Sequence, residues 1–249
     1  MQDIVPELLD KIQQQFTRDF NNNSNIKNIY TKINNGTATH IDVHKFAIET
    51  GKTLADSFNK YITIESLPDG RMYYNIAERI LNPTLGNNYE LIDKALETVQ
   101  TNLNKKAGFG LRGIRTPLNQ DRIDGFIERL SLEENFEDVK WILDEPVINF
   151  SQSIVDAGIA NNVDFQARSG LTPTVTRIVT GHKPCAWCRG LAGSYEYPDV
   201  PEDVYRRHDN CRCLVEYDPG NNKKQDVWTK QWRDPKEKEK IEHRKTIGL

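Results

Sequence analysis

The sequence predicts an α+β protein: a predominantly helical body over residues 1–170, a small mixed module with short strands over 171–218, and an extended basic, polar tail over 219–249. Three observations carry that expectation. Apolar residues recur at threes and fours through the first 170 residues, the period of a helix with one buried face. The stretch "TPTVTRIVTG" at 172–181 is rich in β-branched residues, which suit an extended backbone. Beyond Asp218 the chain becomes polar and lysine-rich and loses its periodicity.

Taken in order, Asp3 is placed to cap a first helix that tolerates Pro6 in its opening turn and runs through Ile12 and Phe16 to about Phe20. "NNNSN" at 21–25 breaks it. Thr39 caps a second helix, with Val43, Phe46, Ala47, Thr50, Leu54 and Phe58 along one face. A third is expected from Met72 to Leu81, stopping before Pro83. A fourth is expected from Tyr89 to Lys106, with Ile92, Ala95, Leu96, Val99 and Leu103 aligned. Helical spacing resumes from Asn119 through Ile123, Phe126, Ile127 and Leu130. A last amphipathic stretch fills 134–170, where Pro146 should kink or divide it, Gly158 is a weak point and Gly170 a stop. All of these stripes read as core packing.

"GFGLRG" at 108–113 spells G-x-G-x-x-G, but a dinucleotide site needs a strand before it and a helix opening at its third glycine. Here a helix precedes it and Pro117 follows, so Gly108 is expected to terminate a helix. In the module, "SYEY" at 194–197 and "RCLVEY" at 212–217 are two further strand candidates. "PEDVYRR" at 201–207 reads as a helical turn opened by Pro201.

Bulk composition narrows the function. Hydrophobic residues make up 37% and charged residues 28% of 249, outside the disordered range. A formal charge of −3 argues against a surface that grips nucleic acid throughout. Nine Lys/Arg against five Asp/Glu from Pro219 onward give the tail +4 and leave −7 for the rest. No run is long and apolar enough for a membrane span, and "MQDIVPELLDKIQQQF" lacks the pattern of a signal peptide. The expected compartment is therefore reducing, where clustered cysteines serve metals more often than disulfides.

All four cysteines fall within "PCAWCRGLAGSYEYPDVPEDVYRRHDNCRC" at 184–213. The spacing is C-x2-C, then H-x2-C-x-C: Cys185, Cys188, His208, Cys211 and Cys213. Two cysteines two residues apart form a knuckle whose sulfurs meet one cation, and a second group from a distant strand completes the tetrahedron that zinc accepts. On a strand, Cys211 and Cys213 would face the same way. Five candidates compete for four places, and His208 is either a ligand or an outer donor that orients a thiolate. "PCAWC" also matches half of the zinc nucleobase deaminase signature, but no upstream H-x-E supplies the acid/base glutamate. A structural Zn2+ is the expected cofactor, standing in for the core that so short a module lacks.

The run "TRIVTGHKPCAWCRGLAG" followed by "HDNCRCLVEY" resembles the C-terminal signature of phage minor head proteins, the Mu F-like head-morphogenesis family. The likeness spans roughly 155–217, including the lead-in "NNVDFQARSGLTPTVTR", and extends more weakly to "GFGLRGIRTPLNQDRIDGFIERLS" at 108–131. Residue by residue it makes Cys185 and Cys188 the knuckle, and His208, Cys211 and Cys213 the closing strand. The linker "GSYEYPDVPEDVYRR" departs from the family in lacking a longer glycine-rich loop.

The resemblance implies a non-enzymatic virion component, present in few copies, bound to the portal protein or major capsid protein at the portal vertex or capsid interior. Such relatives act in head assembly, DNA packaging or ejection. Packaged DNA is a possible contact of the tail, through Lys223, Lys224, Lys230, Arg233, Lys236, Lys238, Lys240, Arg244 and Lys245, interleaved with Trp228 and Trp232; a solvated charged arm is the plainer reading. The alternative is a zinc-dependent enzyme or toxin acting on nucleic acid, for which Glu196, Asp199, Glu202, Asp203 and Asp209 are the nearest acids. A duplex-reading zinc finger is disfavoured, since no basic recognition helix follows the ligands.

Overall fold

The structure, a computed structural model, describes residues 3–180, 184–220 and 243. Asp3 opens the first helix by accepting from the Val5 backbone N–H at 3.1 Å. Helix α1 (Val5–Asn22) then buries Val5, Leu8, Ile12 and Phe16. Asn23 stops it and at once starts another, its side chain accepting from the N–H groups of Asn25 and Ile26. The asparagine-rich break therefore also serves as a cap. Helix α2 (Ser24–Asn34), which the sequence pattern did not reveal, buries Ile26, Ile29 and Ile33.

Helix α3 (His40–Tyr61) starts where Thr39 predicts. The Thr39 N–H and hydroxyl both donate to the Asp42 carboxylate, at 3.0 and 3.2 Å, which satisfies donors that a helix end leaves open.

The expected break before Pro83 does not occur. One 33-residue helix, α4 (Tyr74–Lys106), joins the two segments predicted separately. Proline removes the hydrogen bond to the carbonyl four residues back, at Arg79. Both Pro83 and Arg79 are exposed, so water can satisfy that carbonyl. On the buried side the Thr84 hydroxyl donates to the Ile80 carbonyl at 2.6 Å. Gly108 ends the helix at φ +87°, a left-handed conformation that glycine adopts without steric cost.

Irregular backbone leads to α5 (Gln120–Leu132), capped by Asn119, whose side chain accepts from the Arg122 N–H. Two 3-10 turns, Phe136–Asp138 and Lys140–Leu143, precede α6 (Glu145–Arg168). Pro146 does not kink that helix; it stands in the first turn, where its missing N–H costs nothing. Gly158 does not weaken it either. A Cβ there would stand 2.2 Å from Leu96 Cδ2, so the glycine permits α6 to lie close to α4.

The strands form a three-stranded antiparallel sheet in the order β2-β1-β3: β1 (Thr174–Ile178), β2 (Gly193–Glu196) and β3 (Leu214–Asp218). Val175 faces Tyr195 on one side and Tyr217 on the other. Val175, Val204, Val215 and Tyr217 are buried in the same continuous core as the helices. The fold is thus α+β, mostly helical, with β3 laid against α3 and α6. Among the described residues no helix is long and apolar enough to cross a membrane. The tail lysines, arginines and tryptophans proposed as phosphate contacts lie outside the described residues.

Candidate metal centre

The C-x2-C knuckle is built as a helix start. Cys185 stands at the N-cap of the short helix α7 (Ala186–Gly190), and its sulfur accepts from the Cys188 N–H at 3.2 Å. One helical turn then carries both sulfurs to the same side. The other ligand group comes from the loop before β3. Asn210 turns the chain at φ +58°, and the Cys211 N–H donates to the His208 carbonyl at 3.2 Å.

Cys211 and Cys213 were expected on a strand, but β3 begins only at Leu214, its first residue paired with β1. The turn at Asn210 and a bond from the Thr180 hydroxyl to the Arg212 carbonyl (2.8 Å) hold the preceding residues outside the ladder. Their sulfurs nevertheless reach the same cluster.

All five sequence-predicted residues converge. Donor atoms of Cys185, Cys188 and His208 lie within 4.8 Å of one another, and those of Cys188, Cys211 and Cys213 form a second such triad. His208 Nε2 stands 3.2 Å from Cys185 Sγ and 3.1 Å from Cys188 Sγ. Cys188 and Cys211 sulfurs are 3.9 Å apart, and none of the four cysteines is in a disulfide. Cys188, Cys211 and Cys213 are buried, whereas Cys185 is exposed.

The His208 ring has a defined orientation. Its Nδ1 lies 2.6 Å from the Asp209 carbonyl, which can only accept, so Nδ1 carries the proton and the Nε2 lone pair points among the sulfurs. Trp187 meets the ring edge-on, with centroids 5.8 Å apart.

Burial pushes the Cys188 thiol up to about 12, while the Cys188 N–H holds the Cys185 thiol below its ordinary value. At Cys188 desolvation outweighs the opposing pull of the Arg177 guanidinium and favours the neutral thiol; a bound metal would reverse that preference. The cluster can hold a metal ion.

Sequence reasoning named the candidate ligands but missed the groups around them. Arg177, 2% exposed, reaches Cys188 Sγ and Cys211 Sγ at 3.8 Å each and donates to the carbonyls of Val204 and Arg206. Its position was a usable signal: Arg177 shares the inward face of β1 with Val175, where an arginine needs a partner.

Arg207, next to His208, donates through Nε and Nη2 to the buried Asp156 carboxylate and through Nη1 to the Cys213 carbonyl at 2.7 Å. Its Nη2 also lies 3.3 Å from His44 Nδ1, and His44 Nε2 stands 2.8 Å from the Val215 carbonyl oxygen and 3.1 Å from the Val215 nitrogen. Arg212 pairs with Glu145 through both terminal nitrogens, at 2.5 and 2.9 Å. These bonds tie the ligand loop to α3 and α6.

Among the nearby acids, Glu202 and Asp203 are held by Arg206, and Glu196, Asp199 and Asp209 are exposed. No protein-family model, curated protein or solved structure matches the chain.

Proposed function

We propose that this chain is a non-enzymatic minor head protein of a tailed phage, associated with the portal or the capsid interior, and that residues 185–213 hold one structural Zn2+. The observation that carries the reading is the meeting of the knuckle, the closing H-x2-C-x-C and the Arg177 strand in one cluster, since these same residues carry the resemblance to the Mu F-like family.

Zinc is favoured by the donor chemistry. Sulfurs bound at about 2.3 Å on a tetrahedron stand about 3.8 Å apart, close to the 3.9 Å between Cys188 and Cys211. Charge narrows the ligand set. Three thiolates and a neutral histidine leave a Zn2+ centre at −1, which the buried Arg177 guanidinium cancels. Four thiolates would leave one buried negative charge over. That count admits one histidine and three thiolates. We assign Cys185, Cys188, His208 and Cys211, because His208 Nε2 lies 3.2 Å from Cys185 Sγ and 3.1 Å from Cys188 Sγ, and Cys188 is 3.9 Å from Cys211, with Cys213 as a buried thiol beside them.

The enzyme alternative needs an open coordination position and an acid or base poised beside it. Glu202 and Asp203 are committed to Arg206, which favours the closed clamp.

Elemental analysis of the purified chain should give one zinc per chain, retained in Cys213→Ser and lost in Cys188→Ser. A water-bearing metal seen by X-ray absorption would return the enzyme reading. For the role itself, mass spectrometry of purified virions should find the chain at low copy number. Its absence both from virions and from isolated portal complexes would overturn the assignment. The tail's DNA contact should appear as retention on duplex DNA that falls steeply with salt.

A further inference from the structure

A cavity of about 410 Å³ opens where α4, α5 and α6 meet the turn that precedes the metal-ligand loop. Its walls are mostly apolar: Tyr89, Phe150, Ile154 and Tyr205 line it, and Arg122 stands among them. The volume lies within the range of small-ligand sites, which join apolar walls to a few placed polar groups.

The charge at Arg122 makes no ion pair among the described residues. Its guanidinium stands 5.8 Å from the ring centroids of Phe126 and Phe150, and Nη1 donates to the Ser153 hydroxyl at 2.8 Å. Among the described residues no carboxylate comes within ion-pair distance of it. Its neighbours on the rim differ. Arg207 is consumed by Asp156, and Arg206 by Glu202 and Asp203. The cavity therefore holds one cation with no carboxylate in contact; Asp156 and Asp209 favour its charge only from a distance, and Asp156 is already bonded to Arg207. Burial pulls Arg122 below an ordinary guanidinium, which marks a charge poorly served by solvent. An arginine fork held between rings presents its free donors in the plane that a carboxylate accepts.

We propose that this cavity binds a small organic carboxylate, its apolar body against Tyr89, Phe150 and Tyr205 and its carboxylate on Arg122. This site is separate from the metal cluster and from the assembly role proposed above.

Benzoate is the probe, and benzamide its neutral isostere. Titration of the zinc-replete protein, followed by calorimetry and by amide NMR shifts, should show saturable benzoate binding that moves residues of α5 and α6. Benzamide should bind at least about tenfold more weakly, and Arg122→Gln should weaken benzoate by a similar factor. Equal affinity for the two probes, unchanged benzoate binding in a folded Arg122→Gln protein, or no saturation by wild type at about ten millimolar would each overturn the proposal. The two-probe comparison needs no variant and stands if Arg122→Gln fails to fold.

Discussion

Arg177 and His40 show how single buried polar groups shape this molecule. A guanidinium 2% exposed must meet negative charge or leave a costly buried cation, and its nearest candidates are the sulfurs of Cys188 and Cys211. Arg177→Met keeps an unbranched apolar stem and removes the charge. It should lower zinc affinity at least tenfold, read by competition with a chromophoric chelator, and cost about 3 kcal/mol in urea unfolding. His40 is buried, bonded to Gln100 Oε1 at 2.7 Å and stacked on the Tyr217 ring 5.0 Å away. Burial lowers its pKa from 6.5 to about 4. Below 6.5 the unfolded chain takes up a proton that the folded chain refuses, so this group's stability is present above 6.5 and lost as pH falls toward 4. His44, lowered by burial and by Arg207, acts in the same direction. The loss attributable to His40 is about 3 kcal/mol. His40→Gln should flatten the acid limb of stability against pH by up to that amount; an unchanged limb would assign it to other groups.

At the scale of elements, helix contacts depend on where side chains are absent. A Cβ on Gly51 would stand 2.5 Å from Ser151 Oγ and 3.0 Å from the Ile148 Cα, so α3 and α6 approach there nearly backbone to backbone. Gly51→Ala should destabilise by about 1–3 kcal/mol, because rigid backbone must move. Gly86 lies inside α4 with nothing within 4 Å of an added Cβ. Gly86→Ala should stabilise by about 0.5–1 kcal/mol, by removing freedom from the unfolded chain. Urea unfolding of the pair compares the two effects directly. Most element starts were legible: Thr39 caps where expected, the helical spacing that resumes at Asn119 marks the start of α5, and Gly108 and Gly170 both adopt positive φ where helices end. The continuity of α4 through Pro83 was not, because a proline's cost depends on which side of the helix faces water. Helix α2 escaped because asparagine both stops and starts helices.

For the whole molecule, the cysteine cluster and the main core are distinct. Cys188, Cys211 and Cys213 pack with Val179 in their own small group, whereas Val175, Val215 and Tyr217 belong to the helical core. The sheet's inner face thus has an apolar foundation of its own, beyond what a fifty-residue module would supply. Chelation should therefore loosen the segment 184–213 while leaving the helices folded. Hydrogen exchange with and without chelator should show faster exchange there and unchanged protection in α3, α4 and α6. Cooperative loss of the helices on chelation would mean that the bonds of Arg207 and Arg212 transmit the whole stability of the body.

The sequence by itself determined what is local: helical stripes, caps, strand chemistry, and the five donors at metal-ligand spacing. These follow from residues a few positions apart, whose geometry the backbone constrains. Only the tertiary structure decided that Cys211 and Cys213 stand before the strand, that Arg177 meets the sulfurs, and that His44 bonds Val215 across 171 positions. It also decided that Arg122 stands at a cavity with no carboxylate in contact. The physical reason is shared. Pairing and burial of charge depend on which distant segments pack together, and no periodicity along the chain encodes that.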